Sequence, residues 1–223
     1  MGAKTFIVIP VYNEQKVIGD VIADLFKHGY NNIIVVDDGS TDDIYSAIKS
    51  LPVYFTRHII NRGKGSALRT GMKTAQQLGA DCIVTIDGDG QHAAADIEKL
   101  TKKINEGYDI ALGYREFNTK DMPLIKIAAN HFANTLVWLL FGVRVKDSQS
   151  GFKAYSHKAL SLIKTSFDSY EHESEILSNI RQHNLSYAQV PIQTIYTNYS
   201  QTKDRRQKIS NGFKMIYKMF FFS

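Results

Sequence analysis

Only one cysteine, Cys82, stands in the chain, inside an apolar run. One thiol excludes an intrachain disulfide and points to a reducing compartment, and its place in a strand pattern argues against a redox or nucleophilic role. The N-terminal MGAKTF lacks a signal-peptide profile, and Phe6 stands where N-myristoylation needs Ser or Thr, so the mature chain is expected to start there. Long hydrophobic runs are missing too. The nearest approach, residues 127 to 143 (IAANHFANTLVWLLFGV), holds no acid, lysine or arginine, but Asn130, His131 and Asn134 interrupt it and it falls short of a membrane span. No repeat, low-complexity linker or shift in composition divides the 223 residues. With 43% hydrophobic residues this is enough chain for one domain with a full core, expected at 1–200 and followed by a tail at 201–223.

What is present centres on residues 82 to 92, CIVTIDGDGQH. A short β-branched run that ends in two acids predicts a buried strand delivering Asp87 and Asp89 to a sheet edge, where open α/β sheets bind ligands. Two carboxylates one residue apart repel each other unless a cation lies between them, and oxygen donors of this kind suit Mg²⁺ or Mn²⁺. The ligand expected there is a metal-bound diphosphate. Gly88, Gly90 and Ala93 also spell G-x-G-x-x-A, the dinucleotide fingerprint in form. The acids count against that reading, because they would aim negative charge at a pyrophosphate meant to rest on backbone amides. The bland alternative is a polar turn.

Apolar runs at 5–9 and 33–36 predict two more buried strands, the first ending at Pro10 and the second at Asp37 and Asp38, each followed by a helical pattern. A strand near 53–57 leads into NRGKGSALRTGMKTAQQLG, a helix with small residues at Ala67, Gly71 and Ala75 for close packing. Lys64 invites a P-loop reading, but His58 stands where the first glycine belongs and Gly65 follows the lysine, so that reading fails. Beyond the acids come a helix near 94–106, the strand DIALG reaching Tyr114 and Arg115, a turn through Gly151, a helix at EHESEILSNI and a strand SYAQVPI ending at Pro191. This alternation predicts an α/β fold with a Rossmann-like, doubly wound, mostly parallel sheet flanked by helices.

The formal charge is +5, and residues 198–223 hold six Lys or Arg against one acid, so the body is close to neutral and the tail is basic and aromatic. Such a tail is expected at an anionic surface. No groove-reading motif accompanies it, so a membrane is expected rather than nucleic acid. Lys126, Asn130 and Asn134 recur at four-residue spacing and would form one polar stripe on an otherwise apolar helix, either a solvated edge or a face for a charged acceptor.

PVYNE at 10–14, DDGSTD at 37–42, NRGKGSA at 61–67, DGDGQH at 87–92 and DSQSGFKAY at 147–155 together resemble the family 2 glycosyltransferases over residues 5 to about 205. Within the family the chain is most similar to dolichyl-phosphate mannose synthases and bacterial polyprenyl-phosphate glycosyltransferases. The resemblance implies a GT-A fold, a nucleotide-sugar donor (a UDP-sugar or GDP-mannose), Mg²⁺ or Mn²⁺, inversion at the anomeric carbon and a polyprenyl phosphate acceptor. It places Pro10, Tyr12, Glu14, Val36, Asp37 and Asp38 around the donor's nucleoside, with Lys64, Asp87, Gly88 and Lys203 also toward the donor. Asp87, Asp89 and Gln91 match metal ligands, and Arg115 matches a phosphate-binding arginine. Lys126 and Asn130 fall where the mannose synthases carry Arg and Ser around the acceptor phosphate, and Thr197 stands where they carry a donor-binding Arg. Asp89 and Arg115 would stabilise the leaving diphosphate, while Asp147, Glu173 and Glu175 are candidate bases should the acceptor be a hydroxyl. The bacterial relatives continue into transmembrane helices and this chain stops at FFFS, so peripheral attachment to the cytoplasmic membrane face is expected.

Overall fold

The computed structural model describes residues 4–115, 134–135, 137–166, 168 and 171–195. β1 (Thr5–Val11), β2 (Ile33–Asp37), β3 (Tyr54–Arg57), β4 (Cys82–Thr85), β5 (Ile110–Arg115), β6 (Lys153–Ser156) and β7 (Tyr187–Ile192) form one sheet in the order β3-β2-β1-β4-β6-β5-β7. β1, β2, β3 and β4 are mutually parallel, as are β5 and β7. β6 runs antiparallel to both β4 and β5.

The inner strands read as unbroken apolar runs because both faces of the sheet are covered. On one face Phe6, Val8, Ile34, Val36 and Ile83 meet α3 (Lys64–Gln77), α5 (His157–Leu162) and α6 (Glu171–Gln182). On the other, Ile7, Ile9, Val35 and Val84 meet α1 (Ile18–Lys27), α2 (Ile44–Ile48) and α4 (Ile97–Asn105). Asp43 caps α2, its carboxylate accepting from Ser46 N at 3.1 Å. The small residues of α3 serve close packing on the sheet: a Cβ at Gly71 would lie 2.4 Å from Val8 Cγ1.

Two boundaries differ from the sequence expectation. β1 does not stop at Pro10 but runs on to Val11. Val8 O accepts from Ile86 N, so residues 8 and 10 face β4, whose pairing with β1 ends at Thr85. The missing N–H of Pro10 therefore falls just past the end of that ladder, where no donor is needed. The second difference is β6, expected as part of a turn. Its four residues, KAYS, begin with a lysine, and no periodicity rule separates so short a segment from a turn. Phe152 and Ala154 pack on the α1 side, while Tyr155 packs on the α3 side.

Asp109 joins the three strands of the C-terminal half. Its carboxylate accepts from Ser186 N (2.8 Å), Ser186 Oγ (2.9 Å) and Lys158 Nζ (3.0 Å), and its carbonyl accepts from Ser156 N. Burial alone would raise the pKa of this carboxyl, but the bonds from Ser186 and Lys158 outweigh it and hold it below the ordinary value. A depressed folded-state pKa stabilises the fold above the unfolded value, about 3.9, and that contribution is lost as pH falls through the folded value. Asp109→Asn is therefore expected to lower unfolding free energy at neutral pH by about 2 kcal/mol. Urea denaturation of both proteins between pH 7 and pH 2 should show the difference shrinking only below about pH 4.

Candidate active site

Parallel order brings the loops after β1, β2, β3 and β4 to one edge of the sheet, and antiparallel β6 returns its N-terminal end to the same edge. Asp87 and Asp89 stand in the loop after β4. Gly88 between them packs against the end of β1, where a Cβ would lie 2.6 Å from Val11 Cγ1. Asp89 Oδ1 accepts from Gln91 N at 3.1 Å, so the loop folds back on itself. Pairing between His92 and Thr194, with Ile195 N donating to Gln91 O, fastens the loop to the segment after β7.

Asp87 heads a row of alternating charges. Lys64 Nζ, in the first turn of α3, lies 2.6 Å from Asp87 Oδ1 and 3.3 Å from Glu173 Oε1. Glu173, in the first turn of α6, is paired through Oε2 with the buried Lys153 of β6, whose ammonium also donates to Ser150 O. Glycine at 151 leaves room for this meeting, since a Cβ there would stand 2.5 Å from Lys64 Nζ and 2.9 Å from Asp87 Oδ1. Burial opposes the charges on Asp87, Lys64 and Glu173, but their partners prevail. Desolvation would raise Asp87, yet Lys64 and then His92, 3.5 Å away, hold it well below the usual carboxylate range. Glu173 is likewise held down against burial by Lys153 and Lys64, and Lys64 is held up against burial by Asp87 and Glu173. Beside them, burial pushes His172 down to about 4. Desolvation pushes the Cys82 thiol up to about 12, which removes it as a nucleophile.

The residues placed near a nucleoside by resemblance gather at the ends of β1 and β2. Tyr12 is exposed, whereas Pro10, Val36 and Glu14 are buried, and the Val36 side chain faces the core against α3. Asp37 Oδ1 accepts from Ser40 N at 2.8 Å and Oδ2 lies 3.2 Å from Arg57 Nε. Asp38 accepts from Gly63 N (2.7 Å), Arg62 N (3.0 Å) and His58 Nδ1 (2.7 Å), while His58 Nε2 lies 2.9 Å from Thr70 Oγ1. These bonds fix the loop that leads into α3 and so position Lys64.

Arg115, at the end of β5, makes a bidentate pair with Asp147: Nε to Oδ2 at 2.7 Å and Nη2 to Oδ1 at 3.2 Å, the Asp147 side chain being fully buried. Glu175 accepts from both the amide and the hydroxyl of Ser166. Asn134 does not offer its amide to an acceptor stripe. Its Nδ2 donates to Lys146 O at 2.6 Å and its Oδ1 accepts from Ser148 N at 2.9 Å, clamping the loop that carries Asp147. Lys126, Asn130, Thr197, Lys203 and the tail lie outside the described residues. Sequence reading missed His58, His92 and Lys153. The signal for Lys153 was a lysine between Phe152 and Tyr155 in a segment taken for a turn; nothing local marked the two histidines.

Among the described residues no three His, Cys, Asp or Glu side chains converge as a metal cage. Mg²⁺ and Mn²⁺ commonly take one or two carboxylates and complete their shell with phosphates and water. Asp89 and Asp87, hard oxygen donors on one loop, fit an ion that arrives with a diphosphate.

A parallel half-sheet whose loops converge on two acids, extended by an antiparallel strand and a further parallel pair, defines a GT-A glycosyltransferase. The glucosyl-3-phosphoglycerate synthase of Mycobacterium tuberculosis, solved with Mn²⁺ and uridine-diphosphate-glucose, has the same fold: TM-score 0.73 at 19% identity, over 98% of this chain and 77% of that one. The profile described as Glycosyl transferase family 2 matches residues 6–163, and the chain belongs to that family. The UDP-N-acetylglucosamine–dolichyl-phosphate N-acetylglucosaminyltransferase of Methanococcus voltae is 39% identical over 96% of this chain and 94% of its own length. The polyprenol monophosphomannose synthase of Mycolicibacterium smegmatis is 29% identical over 73% of this chain and 65% of its own length.

Because Asp147 is fully buried, removing the Arg115 guanidinium leaves its charge uncompensated, with only the Gln149 and Arg115 amides, among the described residues, still donating to it. Arg115→Ala is expected to cost about 3–5 kcal/mol of stability, far more than a surface arginine. Asp147→Asn added to it should recover most of that loss. Denaturant unfolding of the two variants checks this, and equal stabilities would show that the pair is not what Arg115 supplies.

Proposed function

We propose that this glycosyltransferase moves a sugar from a UDP-sugar, with Mg²⁺ or Mn²⁺, to a polyprenyl phosphate at a membrane surface. The observation that carries the reading is the state of its acids. A hydroxyl acceptor needs a base with an available oxygen and a pKa near the working pH. Asp147 is locked to Arg115, Glu173 is paired with two lysines and held acidic, and Glu175 is held by Ser166. A lipid phosphate is already ionised at neutral pH and asks for no base. The names of the Methanococcus and Mycolicibacterium relatives support the same acceptor class, and the former supports UDP over GDP.

In this reading Asp89 and Asp87 would hold the divalent ion, whose contribution would be to neutralise charge on the departing diphosphate. Lys64 faces the same place and remains protonated throughout. Tyr12 and the loops after β1 and β2 hold the nucleoside, and Arg115, steadied by Asp147, presents its guanidinium edge to a phosphate. By the family resemblance Gln91 would join Asp87 and Asp89 as a metal ligand, and Lys203 would serve the donor. Lys126 and Asn130 receive the acceptor phosphate.

No helix among the described residues is long and apolar enough to cross a membrane. Peripheral contact at the cytoplasmic face is supported by exposed Trp138, Leu139 and Leu140 beside Arg144, whose Cζ lies 4.6 Å from the Trp138 ring, an apolar surface next to a cation. The basic tail adds attraction to anionic lipid.

Two measurements test the proposal. Asp89→Ala is expected to abolish Mn²⁺-dependent transfer while leaving the melting temperature within a few degrees, since it removes a half-exposed ligand and no core group. Radiolabelled sugar from UDP-sugars should appear on a short-chain polyprenyl phosphate and not on a panel of free sugars and glycans. Transfer to the glycans alone would replace the lipid-phosphate reading with a hydroxyl-directed one.

A further inference from the structure

Lys64 sits unevenly between two carboxylates. Its ammonium is 2.6 Å from Asp87 Oδ1 and 3.3 Å from Glu173 Oε1, while the other oxygen of Glu173 is taken by Lys153. Glu173 Oε1 is buried and accepts no hydrogen bond from the described residues. It is an acceptor with spare capacity, and N–H···O bonds close at about 2.9 Å, so a small displacement of Nζ would complete one. Glycine at 151 is what allows Nζ to stand between the two carboxylates, since a Cβ there would lie 2.5 Å from it.

We propose that Lys64 is a resident counter-ion for Asp87 and that Glu173 is the positioning residue to which Lys64 transfers when a divalent cation takes Asp87. The inference rests on the reading of Asp87 and Asp89 as cation ligands. Asp87 is flanked by cationic or protonatable groups on two sides, Lys64 and His92, and without them two carboxylates one residue apart would repel each other. The same ammonium then opposes a divalent ion approaching Asp87. Glu173 relieves the conflict: it draws Lys64 back by a short distance and keeps the charge compensated, with no ion left unpaired in a low-dielectric site. Lys153, fixed by Ser150 O and Glu173, holds Glu173 in place for this exchange. Vacant or loaded, the row Asp87, Lys64, Glu173, Lys153 keeps every charge beside an opposite one. A further consequence follows for the donor. Lys64 drawn off Asp87 has an N–H free for a diphosphate oxygen, so cation and diphosphate should enter cooperatively.

The test is a double-mutant cycle read by Mn²⁺ binding to the full chain without donor, with electron paramagnetic resonance reporting free Mn²⁺. Lys64→Met should tighten Mn²⁺ about tenfold, because a unit charge a few ångströms from the site is removed. Glu173→Gln should weaken it about fivefold, because Lys64 then has no second carboxylate. In the Lys64→Met background Glu173→Gln should change the affinity by less than about twofold, since its effect acts through Lys64. A charge effect exerted directly on the ion would instead weaken binding by the same factor in both backgrounds, and that additive outcome overturns the proposal. So does an unchanged affinity in Lys64→Met. Should Lys64→Met fail to fold, as judged by circular dichroism, the isosteric Glu173→Gln decides alone, and a wild-type affinity there overturns the transfer. Saturable Mn²⁺ binding that is equal in wild type and Asp89→Asn would instead remove the cation reading itself, a failure distinct from additivity in the cycle.

Discussion

Much of this structure depends on keeping four charges in balance at the edge of the sheet: Asp87, Lys64, Glu173 and Lys153. Each comes from a different element, the loop after β4, the start of α3, the start of α6 and β6. A set of apolar residues of equal volume would often stabilise a fold as well as buried ion pairs do, so stability alone does not account for them. What they supply is a fixed negative group, Asp87, held ionised at the sheet edge by Lys64. Asp87 remains ionised because its partners outweigh the penalty of burial, and Glu173 remains a poor base for the same reason. The same pairing that keeps this edge of the sheet charged therefore withholds Glu173 from work as a proton acceptor.

The parallel half of the fold was legible because its inner strands, β1, β2 and β4, are buried on both faces and its helices are amphipathic. Ile7, Ile9, Val35 and Val84 and their neighbours form apolar runs that only a covered sheet explains. β6 was not legible. Antiparallel insertion between β4 and β5 is a long-range fact, and the segment's one local oddity, Lys153, looks like a surface residue until Glu173 is placed beside it, 20 positions away in sequence and adjacent in space. Pro10 misled in the opposite sense, since its tolerance depends on where the neighbouring ladder stops.

For the candidate site, residue types were legible and their engagements were not. DGDG announced two acids, but that Asp87 is already paired with Lys64 follows only from α3 meeting the end of β4. Arg115 read as free for a phosphate; the fold gives it Asp147, 32 residues on, as a bidentate partner. Asn134 shows the limit of helical spacing as a guide, because a residue on a polar stripe can spend its amide on the neighbouring loop, here between Lys146 and Ser148.

These engagements connect the two halves of the molecule. Had β6 run parallel to β4, its N-terminal end would lie at the far edge and Gly151 and Lys153 would be a sheet's length from Asp87. Running antiparallel, it sets Gly151 against Lys64 and sends Lys153 to Glu173, so Asp87 is tied through two contacts to α6, an element of the other half. Asp147 precedes β6 by only a few residues and holds Arg115 of β5 at the same edge. One reversed strand thus brings both anchors to this edge, and the charge on Asp87 cannot change without being felt by groups fixed on the β5, β6 and β7 side.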